Sequence, residues 1–110
     1  MSFFNFFYPS IEESLAARID KASALLARKL KSMNIGNLAI SDYNKRFLAE
    51  KLGNIKGTIG LYNFLLKKSL VGYKGRLEDF SIVDYGGGSG LFSVLAGLSG
   101  IGLVIYNDIY

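Results

Sequence analysis

Cysteine and histidine are both missing from this 110-residue chain. Their absence excludes disulfides, thiol nucleophiles, thiolate or imidazole zinc sites, and every Ser/His or Cys/His catalytic arrangement. Chemistry is left to carboxylates, hydroxyls, phenols and amines, and no metal site is expected. Proline occurs once and the apolar share is 50%, which argues against a disordered chain. Basic residues are missing from the last third. All 13 Lys and Arg lie at or before Arg76 together with five acids, so residues 1–76 carry a net +8; residues 77–110, with four acids and no base, carry −4. The chain therefore divides near Arg76 into a basic part and an acidic, glycine-rich part. No basic region precedes the apolar opening at 3–8, and Pro9 and Ser10 interrupt it. No secretory signal is expected there, and the expected compartment by default is cytoplasmic.

The basic part reads as helical. Five aromatics crowd positions 3–8, an arm whose rings pack onto the domain, or else a flap over a ligand or an anchoring patch. Ser10 and Glu13 have the spacing of a capping box. Leu15, Ile19, Ala22, Leu26, Leu30 and Met33 then recur at steps of four and three, one stripe of a helix. Arg18, Lys21, Arg28, Lys29 and Lys31 fall on its other side as a solvated surface, because no aromatic or amide side chains are interleaved to contact bases. A second helix is expected from Ser41 to Gly53, the latter a left-handed stop. Residues 54–57 read as a turn. A third helix follows from Thr58, with Ile59, Tyr62, Leu66 and Leu70 on one side and Leu61, Phe64 and Leu65 beside them, which implies burial on more than one face. Residues 72–76 form a loop.

The acidic part has a different grammar. Residues 82–85 read as a strand that runs directly into Gly86-Gly87-Gly88-Ser89-Gly90, an apolar helix from Leu91, and a second strand at 103–107 closed by Asp108. Strand, glycine turn, helix and a strand ending in a carboxylate outline a nucleotide-binding βαβ unit. Seven of the 13 glycines lie between Gly86 and Gly102. In the turn they permit backbone shapes and ligand approaches that a β-carbon would block. The amides opening the next helix favour a carboxylate or phosphate. Asp84 suits an ammonium or hydroxyl, and Asp108, 22 residues after Gly86, suits the paired hydroxyls of a ribose. The dinucleotide spacing Gly-x-Gly-x-x-Gly is not met: counted from Gly86 its last position is Leu91, and counted from Gly87 its second is Ser89.

An acid followed by alternating glycines, Asp84-Tyr85-Gly86-Gly87-Gly88-Ser89-Gly90, resembles the first motif of class I S-adenosylmethionine-dependent methyltransferases. The resemblance implies that the turn, Gly86, Gly87, Gly88 and Gly90, contacts the amino-acid end of S-adenosylmethionine. It further implies that Asp84 lies near the cofactor's ammonium, that Asp108 holds the ribose and that Ile109 lies against the adenine. The fold it implies is α/β: an N-terminal helical region of about three helices (1–76), then the first β-α-β unit of a Rossmann-like domain (77–110) with an incomplete sheet. Two strands stand where the family has about seven, so the expectation is an N-terminal segment of a longer methyltransferase, inactive alone, with no catalytic residue identifiable. Its methyl acceptor is unidentified, a small molecule ahead of a nucleic acid. Exposed sheet edges imply self-association, and no membrane partner is expected.

Two rivals compete with this reading. Residues 85–107 are 23 consecutive uncharged positions after a basic flank, the pattern of a single-span membrane anchor with a cytoplasmic N-terminal region; the Gly and Ser residues at its start, and Ser99-Gly100-Ile101-Gly102 interrupting it where a βαβ unit needs its turn, argue against it. A nicotinamide-binding Rossmann domain is the other, disfavoured by the missing third glycine.

Overall fold

The computed structural model describes residues 10–86 and 88–108. The aromatic stretch at 1–9 and positions 87, 109 and 110 lie outside the described residues.

Helix α1 (Glu13–Lys31) carries the stripe expected of it: Leu15, Ile19, Ala22, Leu26 and Leu30 are buried, joined by Ser23. Its start differs from the capping-box expectation. Glu12 is the cap residue and no side chain caps the first turn. The Ser10 carbonyl instead accepts the Gly72 amide at 3.4 Å, which ties the entry to the loop after the third helix. Met33 falls beyond the helix and is 37% exposed. After a short 3-10 turn (Ile35–Asn37), helix α2 (Asp42–Leu52) is capped by the Ser41 hydroxyl, which accepts the Asn44 amide at 3.2 Å.

Gly53 is not a left-handed stop. Its φ is −64°, because the chain passes almost directly into the next helix. Asn54 accepts the Gly57 amide at 3.2 Å and starts helix α3 (Ile55–Ser69) three residues ahead of the expected Thr58, so 54–57 is a cap and first turn. Ile59, Leu66 and Leu70 are buried, and Tyr62 stands edge-on to Phe92 with ring centroids 6.0 Å apart. Leu61, Phe64 and Leu65 are exposed, so among the described residues α3 is covered on one face only. Its buried side is the one α1 and the βαβ helix pack against.

A second 3-10 turn (Leu77–Asp79) leads into β1 (Ser81–Tyr85), α4 (Leu91–Ser99) and β2 (Leu103–Asn107). The strands are parallel and adjacent, in register Ser81↔Leu103 through Tyr85↔Asn107. Parallel neighbours require a crossover, and α4 supplies it. The fold is therefore mixed α/β: four helices and a two-stranded parallel sheet among the described residues. One core runs through both halves, joining α1 and α3 residues to Leu77, Leu91, Leu95, Ala96 and Ile101. Arg18 of α1 also bonds Glu78 at 2.8 Å, and its guanidinium holds that carboxyl below the usual range. The Gly102 amide donates to the Leu77 carbonyl at 2.9 Å, which brings the start of β2 against the backbone of 77–79.

One sheet face turns toward α4, with Ile82 and Val104 half-buried. The other, with Val83, Tyr85, Leu103 and Ile105, is open.

Candidate functional site

Where β1 ends, the chain must reverse within five residues and start a helix, and it does so through left-handed backbone. Gly86, Gly88 and Gly90 have φ of +66°, +59° and +79°, a region that residues with a β-carbon enter only at a cost. Gly86 extends the ladder by donating its amide to the Asn107 carbonyl at 2.7 Å. Gly90 is the cap position of α4, no side chain bonds there as a cap, and its carbonyl accepts the Val94 amide at 3.0 Å. Apart from the Leu91 amide, which donates to the Ser89 hydroxyl at 3.5 Å, the first-turn amides of α4 thus open at the C-terminal ends of both strands, where ligands of open parallel sheets bind.

The register then brings side chains together. Asp84 and Tyr106 are partners across the ladder, and Asp84 accepts the Ser93 hydroxyl of α4 at 2.7 Å. Asp108 accepts the Gly88 amide on Oδ2 at 2.8 Å, and the Tyr106 hydroxyl lies 3.2 Å from the same oxygen. That hydroxyl also donates to the Gly88 carbonyl. Partial removal from water, then the Asp108 hydrogen bond, and then the charges of Asp108 and Asp84 push the Tyr106 phenol above its usual range. It stays a protonated donor through neutral pH.

Of the residues singled out from the sequence, Asp84, Gly86, Gly88, Gly90 and Asp108 converge on this strand-end turn. Gly87 and Ile109 lie outside the described residues. Three neighbours were missed. Tyr106 was detectable, because it precedes Asp108 by two and so shares its side of the strand. Ser93, in the first turn of α4, reaches Asp84 by a tertiary contact without a spacing rule. Phe47 of α2 comes within 4.0 Å of where a β-carbon on Gly88 would sit, and nothing local to α2 announces it. Beside Phe47 a groove of about 430 Å³ is lined by Tyr43, Arg46 and Glu50. A second groove, about 460 Å³, lies between α1 and α3 and includes none of the strand-end residues.

Among the described residues no group of three or more acids is placed to hold a metal ion, and no helix is long and apolar enough to cross a membrane. Comparison of the chain with protein-family models, with curated proteins and with solved structures found no match in any of the three.

Proposed function

We propose that this chain is the cofactor-binding part of an S-adenosylmethionine-dependent methyltransferase with a class I, Rossmann-like arrangement. The observation that carries the reading is the coincidence, at one end of a parallel βαβ unit, of three left-handed glycines with a carboxylate from β1 and one on the residue that follows β2. Each part matches a different part of the cofactor. The start of α4 offers backbone amides to a carboxylate. Asp84, steadied by Ser93, offers negative charge to an ammonium. Asp108 offers its carboxylate to the ribose hydroxyls, and both oxygens can engage them only once Oδ2 leaves the Gly88 amide.

A β-carbon on Gly86 would meet nothing within 4 Å, so the first glycine faces open space and its left-handed backbone leaves that side clear. When bound, the cofactor supplies an activated methyl group on its sulfonium. The chain's residues hold and orient the amino-acid and ribose ends, and alignment of an incoming nucleophile is the main remaining task. We assign no catalytic base. The acceptor is proposed to be a small molecule, ahead of a nucleic acid.

Titration calorimetry with S-adenosylhomocysteine and with NADH tests the reading. The expected result is binding of the first, abolished in Asp108→Ala, and none of the second. Binding of NADH alone would instead favour a nicotinamide site and sink the proposal.

A further inference from the structure

Asp108 is already engaged by its own chain. Its Oδ2 takes the Gly88 amide at 2.8 Å and faces the Tyr106 hydroxyl at 3.2 Å, while that hydroxyl also donates to the Gly88 carbonyl. The Tyr106 ring lies 3.6 Å from where a β-carbon on Gly90 would sit, so the same side chain spans the turn from its middle to its end. Both polar groups of the Gly88 peptide region are thereby tied to β2 and the residue that follows it. A ribose diol held by a carboxylate needs one oxygen for each hydroxyl, and Oδ2 is committed to the turn.

We propose that Tyr106 is a positioning residue that latches the glycine turn onto Asp108 in the ligand-free chain, and that a ligand diol reaches both oxygens of Asp108 only when this latch opens. The inference rests on the function proposed above for its ligand, and on the hydrogen bonds alone for the latch. The contact has the chemistry of the complex it precedes, since a carboxylate sits on an amide of the glycine turn, as the carboxylate of an amino-acid ligand would. A closed state of this kind lowers apparent affinity by the fraction of molecules that are open. Removing the phenol hydroxyl while keeping the ring should shift that fraction toward open. One hydrogen bond of ordinary net strength corresponds to an affinity gain on the order of fivefold.

Tyr106→Phe is the variant, measured in two ways. Amide hydrogen exchange of the ligand-free protein should quicken at Gly88, while Gly86, bonded to the Asn107 carbonyl, and the amides of α1 keep the wild-type rate. Calorimetry should give tighter binding of S-adenosylhomocysteine to the variant, a gain that simple loss of structure does not produce. Unchanged exchange at Gly88, or weaker binding by a variant whose Gly86 and α1 amides are intact, overturns the latch. Faster exchange at Gly88 with no S-adenosylhomocysteine binding by either protein supports the latch and overturns the cofactor assignment instead.

Discussion

Gly102 has no room for a β-carbon, which would run into the backbone carbonyl of Glu78. That carbonyl belongs to the 3-10 turn that packs the start of β2 against the entry to β1, so relief requires moving backbone. Gly102→Ala is expected to cost about 1–3 kcal/mol, in the range of other overpacking substitutions. Gly60 is the contrasting case: it lies inside α3 and an added β-carbon meets nothing within 4 Å. Gly60→Ala is expected to stabilise by about 0.5–1 kcal/mol through helix propensity. Urea unfolding of the two variants beside the wild type checks both signs. At this scale the sequence was most readable where a residue's role is local. The alternating glycines of 86–90 all have positive φ, as their pattern implies. Gly102 and Phe47 were opaque because what confines them comes from elsewhere in the chain.

Between elements, α1 and α3 are joined by a polar cluster as well as by the core. Asp20 accepts Lys67 at 2.6 Å and Asn63 at 3.0 Å, and Asn63 also donates to Ser23 at 2.8 Å. The Lys67 hydrogen bond first, and Asn63 second, hold the Asp20 carboxyl below its usual range. A carboxyl lowered on folding contributes stability that is full above its unfolded value and is lost as pH falls through its folded value. The Asp20 side chain is 60% exposed, so the surface figure applies: Asp20→Ala is expected to cost about 0.2–1 kcal/mol near neutral pH. The difference from wild type should disappear under strongly acidic conditions, below the folded value, and unfolding curves at the two pH values measure it. The element boundaries show why reading was partial. Period and apolar identity located α1, α4 and both strands within a few residues. Asn54 acts as a cap in the structure, yet in sequence an Asn beside a glycine reads equally as a turn, which sets the expected start of α3 later than the observed one. Leu61, Phe64 and Leu65 looked like core because hydropathy does not say how many neighbours a helix has.

At the scale of the whole molecule, the described residues leave one face of the sheet bare. Parallel sheets are ordinarily covered on both faces. Here Val83, Tyr85, Leu103 and Ile105 remain 57%, 79%, 52% and 46% exposed on one of them. With two strands there are also two edges among the described residues, and unpaired edges template association. The expected consequence is concentration-dependent self-association in sedimentation velocity, reduced in the Val83→Lys, Ile105→Lys double variant. A monodisperse wild-type monomer that melts cooperatively would contradict it. Charge is divided along the chain although the core is shared. The basic residues all lie at or before Arg76, and the strand-end turn lies in the acidic part with two carboxylates beside a helix start.

The location of the binding site is the claim on which the proposed function depends. Amide chemical shifts in a nitrogen-15 spectrum, followed as S-adenosylhomocysteine is added, test it directly. Saturable shifts concentrated at Gly86, Gly88, Gly90 and the first turn of α4, and their loss in Asp108→Ala, are the expected result. Shifts confined to the groove between α1 and α3, or none at all, would contradict it.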